Sequence, residues 1–274
     1  MVSINTNPGA LVALQNLTRV NDQLDATQRR ISTGLEVSSA SDNPAIFALA
    51  QRQRAELGSI EAVQQGLRIA ESAVDVGLAS AESVSDILVE LRTLAAQAAD
   101  DSISTENRTL LQDQFVALTD QISRLVSSAD IGGRNLIDGS TATLNVLASA
   151  DAGDTIAISG INLTNTSVLT FDRTAAALTT STAAATTIAA VEASIDNLST
   201  AVAGLGAGGQ ALDLQGNLLT RVGDALETSI GNLVDADLAR ESSRLQALQV
   251  QQQLAIQTLS IANAAPNSIL ALFA

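Results

Sequence analysis

The chain has no cysteine, histidine, lysine, tryptophan or tyrosine. Without cysteine there are no disulfides or thiolate metal sites. Without histidine the commonest general base and metal ligand is missing as well. All fourteen basic residues are arginine. An active site would therefore have to rest on carboxylates, hydroxyls, arginine and backbone. This inventory points away from an enzyme and implies no cofactor. The aromatic residues are four phenylalanines, so any core is leucine, isoleucine, valine and alanine packed at close range, a composition that suits helix bundles. No stretch of 18 consecutive apolar residues occurs, and no membrane span is expected. The opening MVSINTNPGALVALQNL (Met1–Leu17) lacks a basic n-region, and Gln and Asn interrupt its apolar positions. That is not the pattern of a cleaved secretory signal, so exit from the cell would take another route.

Positive charge is scarce too. The net charge of −15 over 274 residues lacks the basic footprint that nucleic acid requires. Residues 1–41 hold three arginines and three acids, and residues 235–274 hold two arginines and three acids. The remaining −14 lies in residues 42–234. An acidic middle between two nearly neutral, apolar ends suggests that the ends are buried together.

The clearest periodic feature is a heptad series, Leu198, Leu205, Leu212, Leu219, Leu226 and Leu233. Three residues before each leucine stand Ile195, Val202, Gly209, Gly216, Gly223 and Ile230, so the seam runs large, small, large. Apolar residues repeating every 3.5 positions on average make helices pack along a seam. Each glycine costs about 1 kcal/mol relative to alanine, so such a helix needs partners. The competing reading takes Gly204–Gly209 as a flexible linker. A similar seam from Ile60 to Ala98 marks a second long helix, entered through Asn43 as N-cap and Pro44 at the first helical position. A first helix is expected over about Ala10–Thr33, ended by Gly34. Its second heptad set, Leu14, Asn21, Gln28 and Leu35, is either a register-fixing buried amide seam or a solvated face. Asp100 and Asp101 sit at a turn, read as a solvated helix end in preference to a metal site. A third helix is expected over about Glu106–Ser128.

Gly132 and Gly133 break the helical pattern. Thr143–Ala148 and Asp154–Ile161 read as a β-hairpin within about 140–165, and Thr164–Thr187 as a low-complexity loop or exposed edge. The leucine frame breaks at Val234–Asp237, which reads as a hinge. A last helix follows in a new frame, Leu238, Leu245, Gln252 and Leu259, and is expected to end before Pro266. The expected fold is mostly α: a long antiparallel helical bundle or coiled coil formed by both chain ends, with a small β-hairpin region in the middle. Two domains are expected, 1–41 with 235–274, and 42–234. Two thin terminal helices leave apolar stripes uncovered, and such stripes mark interaction surfaces. Copies packing side by side through a non-closing contact form a helical filament.

The stretch ISTGLEVSSASDNPAIFALA (Ile31–Ala50) resembles the N-terminal signature of bacterial flagellin. So do GLRIAESAVDVGL (Gly66–Leu78), LVELRTLAAQAAD (Leu88–Asp100), IGGRNLIDG (Ile131–Gly139) and the tail from Ile256 to Ala274. The resemblance implies an inner filament-core domain made of both termini and a surrounding helical tube domain. The large outer domains of many flagellins are missing. It further implies a structural subunit of the extracellular flagellar filament that serves motility. Export would run through the flagellar type III apparatus, with assembly beneath a capping protein. Expected partners are further copies, sibling flagellins, hook-associated junction proteins and an export chaperone on the C-terminal helix. The expected self-assembly residues are Leu14, Leu17, Leu24, Ile31, Leu238, Leu245, Leu248, Leu259, Leu270 and Phe273. Serines and threonines between Ser140 and Thr187 are candidate O-glycosylation positions. The hook-filament junction protein is the rival reading. In flagellins sensed by the innate immune receptor, a basic residue stands where this chain has Glu90, while Arg92 and Leu94 match. Receptor activation by purified monomer is therefore expected to be weak or absent, and a robust reporter response would contradict this.

Overall fold

The structure is a computed structural model that describes residues 6–151, 153–173 and 177–270, with side chains placed through residue 264. Five helices and four short strands follow in the order α1 (Pro8–Thr33), α2 (Pro44–Ala98), α3 (Thr105–Ser128), β1 (Asp130–Ile131), β2 (Arg134–Asn135), β3 (Thr143–Leu147), β4 (Thr155–Ser159), α4 (Ser181–Val234) and α5 (Leu238–Leu270). The chain divides into two compact units, residues 1–57 with 225–274, and residues 58–224. These divisions fall inside α2 and α4. The charge breaks noted above coincide instead with the α1–α2 loop and the α4–α5 turn.

The helix ends follow local chemistry. Asn7 caps α1 through Oδ1, which accepts from the Ala10 N–H. At the other end Gly34 adopts φ 72°, and its N–H donates to the Arg30 carbonyl, a left-handed cap that glycine takes without steric cost. Asn43 Oδ1 accepts from the Ala45 and Ile46 amides ahead of α2. Within the preceding loop, the N–H and hydroxyl of both Ser38 and Ser39 donate to Asp42 Oδ2. The Ser38 hydroxyl, then those of Ser39, hold the Asp42 carboxyl below its usual range.

In the 58–224 unit, α2 and α4 pair antiparallel. Gln64 donates to Thr220, Arg92 meets Glu192 at 2.7 Å, and Leu205 packs over Gly77. The seam glycines are explained in part by close approach. A Cβ on Gly209 would stand 3.3 Å from Val74 Cγ1, and one on Gly208 would stand 3.0 Å from Ile158. The linker reading of Gly204–Gly209 therefore gives way to a continuous helix.

Three sequence expectations need correction. First, Thr164–Thr187 is neither a loop throughout nor an exposed edge. Leu169, Phe171 and Leu178 are buried, and α4 already begins at Ser181. Sparse apolar anchors do this: Phe171 meets Phe115 edge-to-face, and Gln112 Oε1 accepts from the Leu178 N–H. Second, two hairpins stand where one was expected: Gly132 (φ 61°) and Gly133 (φ 77°), which do break the helical pattern, link β1 to β2 in a hairpin additional to β3–β4. Third, α5 does not stop before Pro266 but runs to Leu270; proline's fixed φ is near-helical, and the cost is a lost hydrogen bond together with steric strain on the preceding turn.

Candidate assembly surface

The 1–57/225–274 unit is built on an antiparallel α1–α5 pair. Near the turn, Leu35 and Asp235 form an antiparallel bridge, and the Ala236 N–H donates to the Gly34 carbonyl at 2.9 Å. Below it, Val37, Ala50, Ile230 and Val234 form one apolar cluster. Along the pair, Val20 and Leu24 pack against Leu248 and Leu245.

Three polar rungs cross this seam. Asn7 Nδ2 donates to the Ala262 carbonyl at 2.7 Å, Gln252 Nε2 donates to Asn21 Oδ1 at 2.8 Å, and Arg30 Nη1 meets Glu241 Oε1 at 3.3 Å. Both readings of the polar heptad set are thus realised, at different positions. Asn21 is a half-buried register contact, whereas Gln28 is exposed. Glu241 is buried, and its Oε2 has no hydrogen-bond partner among the described residues.

The structure divides the expected self-assembly residues. Leu24 and Leu248 are buried within the intrachain pair, and Leu17, Ile31, Leu245 and Leu259 are half-buried. Leu14 and Leu238 are both 49% exposed. The Leu270 side chain and Phe273 lie outside the described residues. Sequence reasoning passed over a second stripe on α5. Val250, Leu254 and Ile261 are 56%, 57% and 66% exposed. At 100° per residue they fall within about 40° of one another and nearly opposite Leu248 and Leu259. The signal was present in the sequence, since an α5 apolar on two opposed faces must have two partners. Among the described residues only one of them is found.

Glu90 and Arg92 are exposed, and Arg92 is held by Glu192 of α4. Leu94 is buried.

The α2–α4 pair carries one pH-sensitive contact. A hydrogen bond with Asp213 raises the Glu71 carboxyl above its ordinary 4.5, with desolvation and repulsion from Asp213 and Asp75 adding to it. Gln64, Arg68, Asn217 and Thr220 line the same groove. A carboxyl whose folded value is raised holds its proton more tightly in the folded state. Stability from this contact is full below pH 4.5 and falls as pH rises through the raised value. Glu71→Gln is expected to flatten that slope in melting curves taken between about pH 4 and 7. An unchanged slope would exclude the contact as its origin.

Residues 4–142 match the family model for the bacterial flagellin N-terminal helical region, and residues 188–273 match that for the C-terminal helical region. The chain belongs to the bacterial flagellin family. Flagellin FljM of Caulobacter vibrioides is 40% identical over 277 residues, covering 99% of this chain and 98% of that one. The flagellin of Brucella melitensis is 37% identical over 282 residues, covering 100% and 99%. Among solved structures, Bacillus cereus flagellin superposes with a TM-score of 0.51 at 24% identity, covering 56% of this chain and 88% of that one. A putative flagellar hook-associated protein from Vibrio parahaemolyticus superposes with 0.61 at 16%, covering 71% and 100%. The latter two show the fold, which filament and junction proteins have in common. Full-length identity to flagellins favours the filament over the hook-associated reading. This flagellin is a structural protein, a subunit of the flagellar filament. Among the described residues, no helix is long and apolar enough to cross a membrane.

Proposed function

We propose that this flagellin polymerises through the outer stripe of α5, with residues 1–41 and 235–274 forming the inner layer of the filament and residues 42–234 the layer around it. The observation that carries this is the second apolar face of α5, Val250, Leu254 and Ile261, left exposed by the described residues. Burying such a stripe against other copies stabilises by about 25 cal/mol per Å² of apolar surface removed from water. The terminal units carry almost no net charge, so copies of an otherwise acidic chain meet there with little repulsion.

Family membership supports the other partners in this reading. Five flagellins of Caulobacter vibrioides match over 99% of this chain, which supports copolymers with sibling flagellins. Export as a secreted protein, assembly beneath a capping protein, attachment to hook-associated junction proteins and an export chaperone on α5 complete the reading. The chaperone would cover the same stripe before assembly.

The test is negative-stain electron microscopy of monomer added to short filament seeds, comparing the full chain with one ending at Val234. Growth by the full chain alone supports the reading. Failure of both, with each still folded, overturns it.

A further inference from the structure

The continuation of α5 through Pro266 leaves one backbone group exposed to loss. Proline has no N–H, so the carbonyl four residues earlier, Ala262, has no helical donor. That carbonyl is the one to which Asn7 Nδ2 donates, at 2.7 Å. The other atom of the same amide, Oδ1, accepts from the Ala10 N–H at 3.1 Å and caps α1. One side chain therefore satisfies an orphan donor of α1 and the orphan acceptor of α5. Carboxylate caps have no donor, and a serine or threonine hydroxyl has a single short one, so an amide suits this double task.

We propose that Asn7 and Pro266 form a register latch, in which Asn7 positions the end of α5 for filament assembly by recognising the carbonyl that Pro266 frees. The apolar seam does not do this alone. Ala10, Leu17, Leu24 and Ile31 repeat every seven residues, as do Leu238, Leu245 and Leu259 within the α5 frame, so after a slip of one heptad the leucines still meet apolar residues, and register rests on polar contacts such as Gln252 to Asn21 and Asn7 to Ala262. Pro266 is the sole proline of α5, so ahead of the last turn the carbonyl it frees is the one that proline leaves without a helical donor. Ile261 of the outer stripe is adjacent to Ala262, so the register the latch selects also sets where that stripe ends.

The readout rests on the assembly reading above and uses full-length chains. Asn7→Asp keeps the cap, and its negative charge suits a helix N-terminus, but it turns an acceptor toward the Ala262 carbonyl. It is expected to raise the critical monomer concentration for seeded elongation about 10-fold. Pro266→Ala supplies an N–H to Ala262 O, so Asn7→Asp in that background is expected to change it by less than about 2-fold. An equal cost in both backgrounds, or none in either, overturns the latch while leaving assembly intact. If the unmodified chain does not elongate, the assembly reading fails, and the latch is judged by amide hydrogen exchange of monomer in the first turn of α1 and near Ala262. Lower protection in Asn7→Asp, restored by Pro266→Ala, supports it; unchanged protection overturns it.

Discussion

Leu254→Asp is expected to abolish elongation from filament seeds while leaving the monomer's helicity and melting unchanged. Leu254 is 57% exposed on the face of α5 turned away from α1, so a carboxylate there stays hydrated in the monomer and disturbs no intrachain contact. In the filament it would be buried without a partner, at a cost of several kcal/mol. Even about 3 kcal/mol is a roughly 100-fold rise in critical concentration. Leu248→Asp is the informative contrast. Leu248 is 5% exposed against Val20 and Leu24, so its substitution also blocks filaments but does so by opening the α1–α5 pair. Circular dichroism of the monomer separates the two. Normal filaments from Leu254→Asp would mean that copies meet elsewhere.

Phe115→Ala carries the second large effect, on stability of the 58–224 unit. Phe115 is fully buried and Phe171 nearly so, with ring centroids 5.9 Å apart and planes at 84°. Removing a buried phenylalanine costs about 3–5 kcal/mol, and the edge-to-face contact is about 1 kcal/mol of interaction beyond area. For a unit of this size the expected fall in melting temperature is roughly 10 °C. The same substitution frees the segment around Phe171 from α3, so proteolysis between residues 163 and 180 should accelerate. A fall below about 2 °C would mean that this segment is not anchored there.

Legibility in the sequence tracked the density of signal. The heptad seams, Gly34 and Asn43–Pro44 are local features whose meaning depends on a few neighbouring residues, and each appears in the structure as a helix or a cap, whereas the Asn7 cap that starts α1 at Pro8 was not read from the sequence. The Thr/Ser-rich segment failed for the opposite reason. Its large buried anchors, Leu169, Phe171 and Leu178, are too widely spaced to show a period, and Phe171 and Leu178 meet Phe115 and Gln112, more than fifty residues earlier. Pro266 misled because a local rule treats proline as a helix end. The hydrogen bond that the helix forgoes there is replaced by Asn7, from the far end of the chain.

By itself the sequence determined that this is a histidine-free, cysteine-free chain of long helices with apolar, nearly neutral ends, since composition and a seven-residue period act through short-range physics. Tertiary structure alone decided which apolar face each end buries inside the chain and which it leaves exposed. A heptad stripe records that a face must be buried, but not against what. Leu248 and Leu254 look alike in sequence and were separated only by the position of α1.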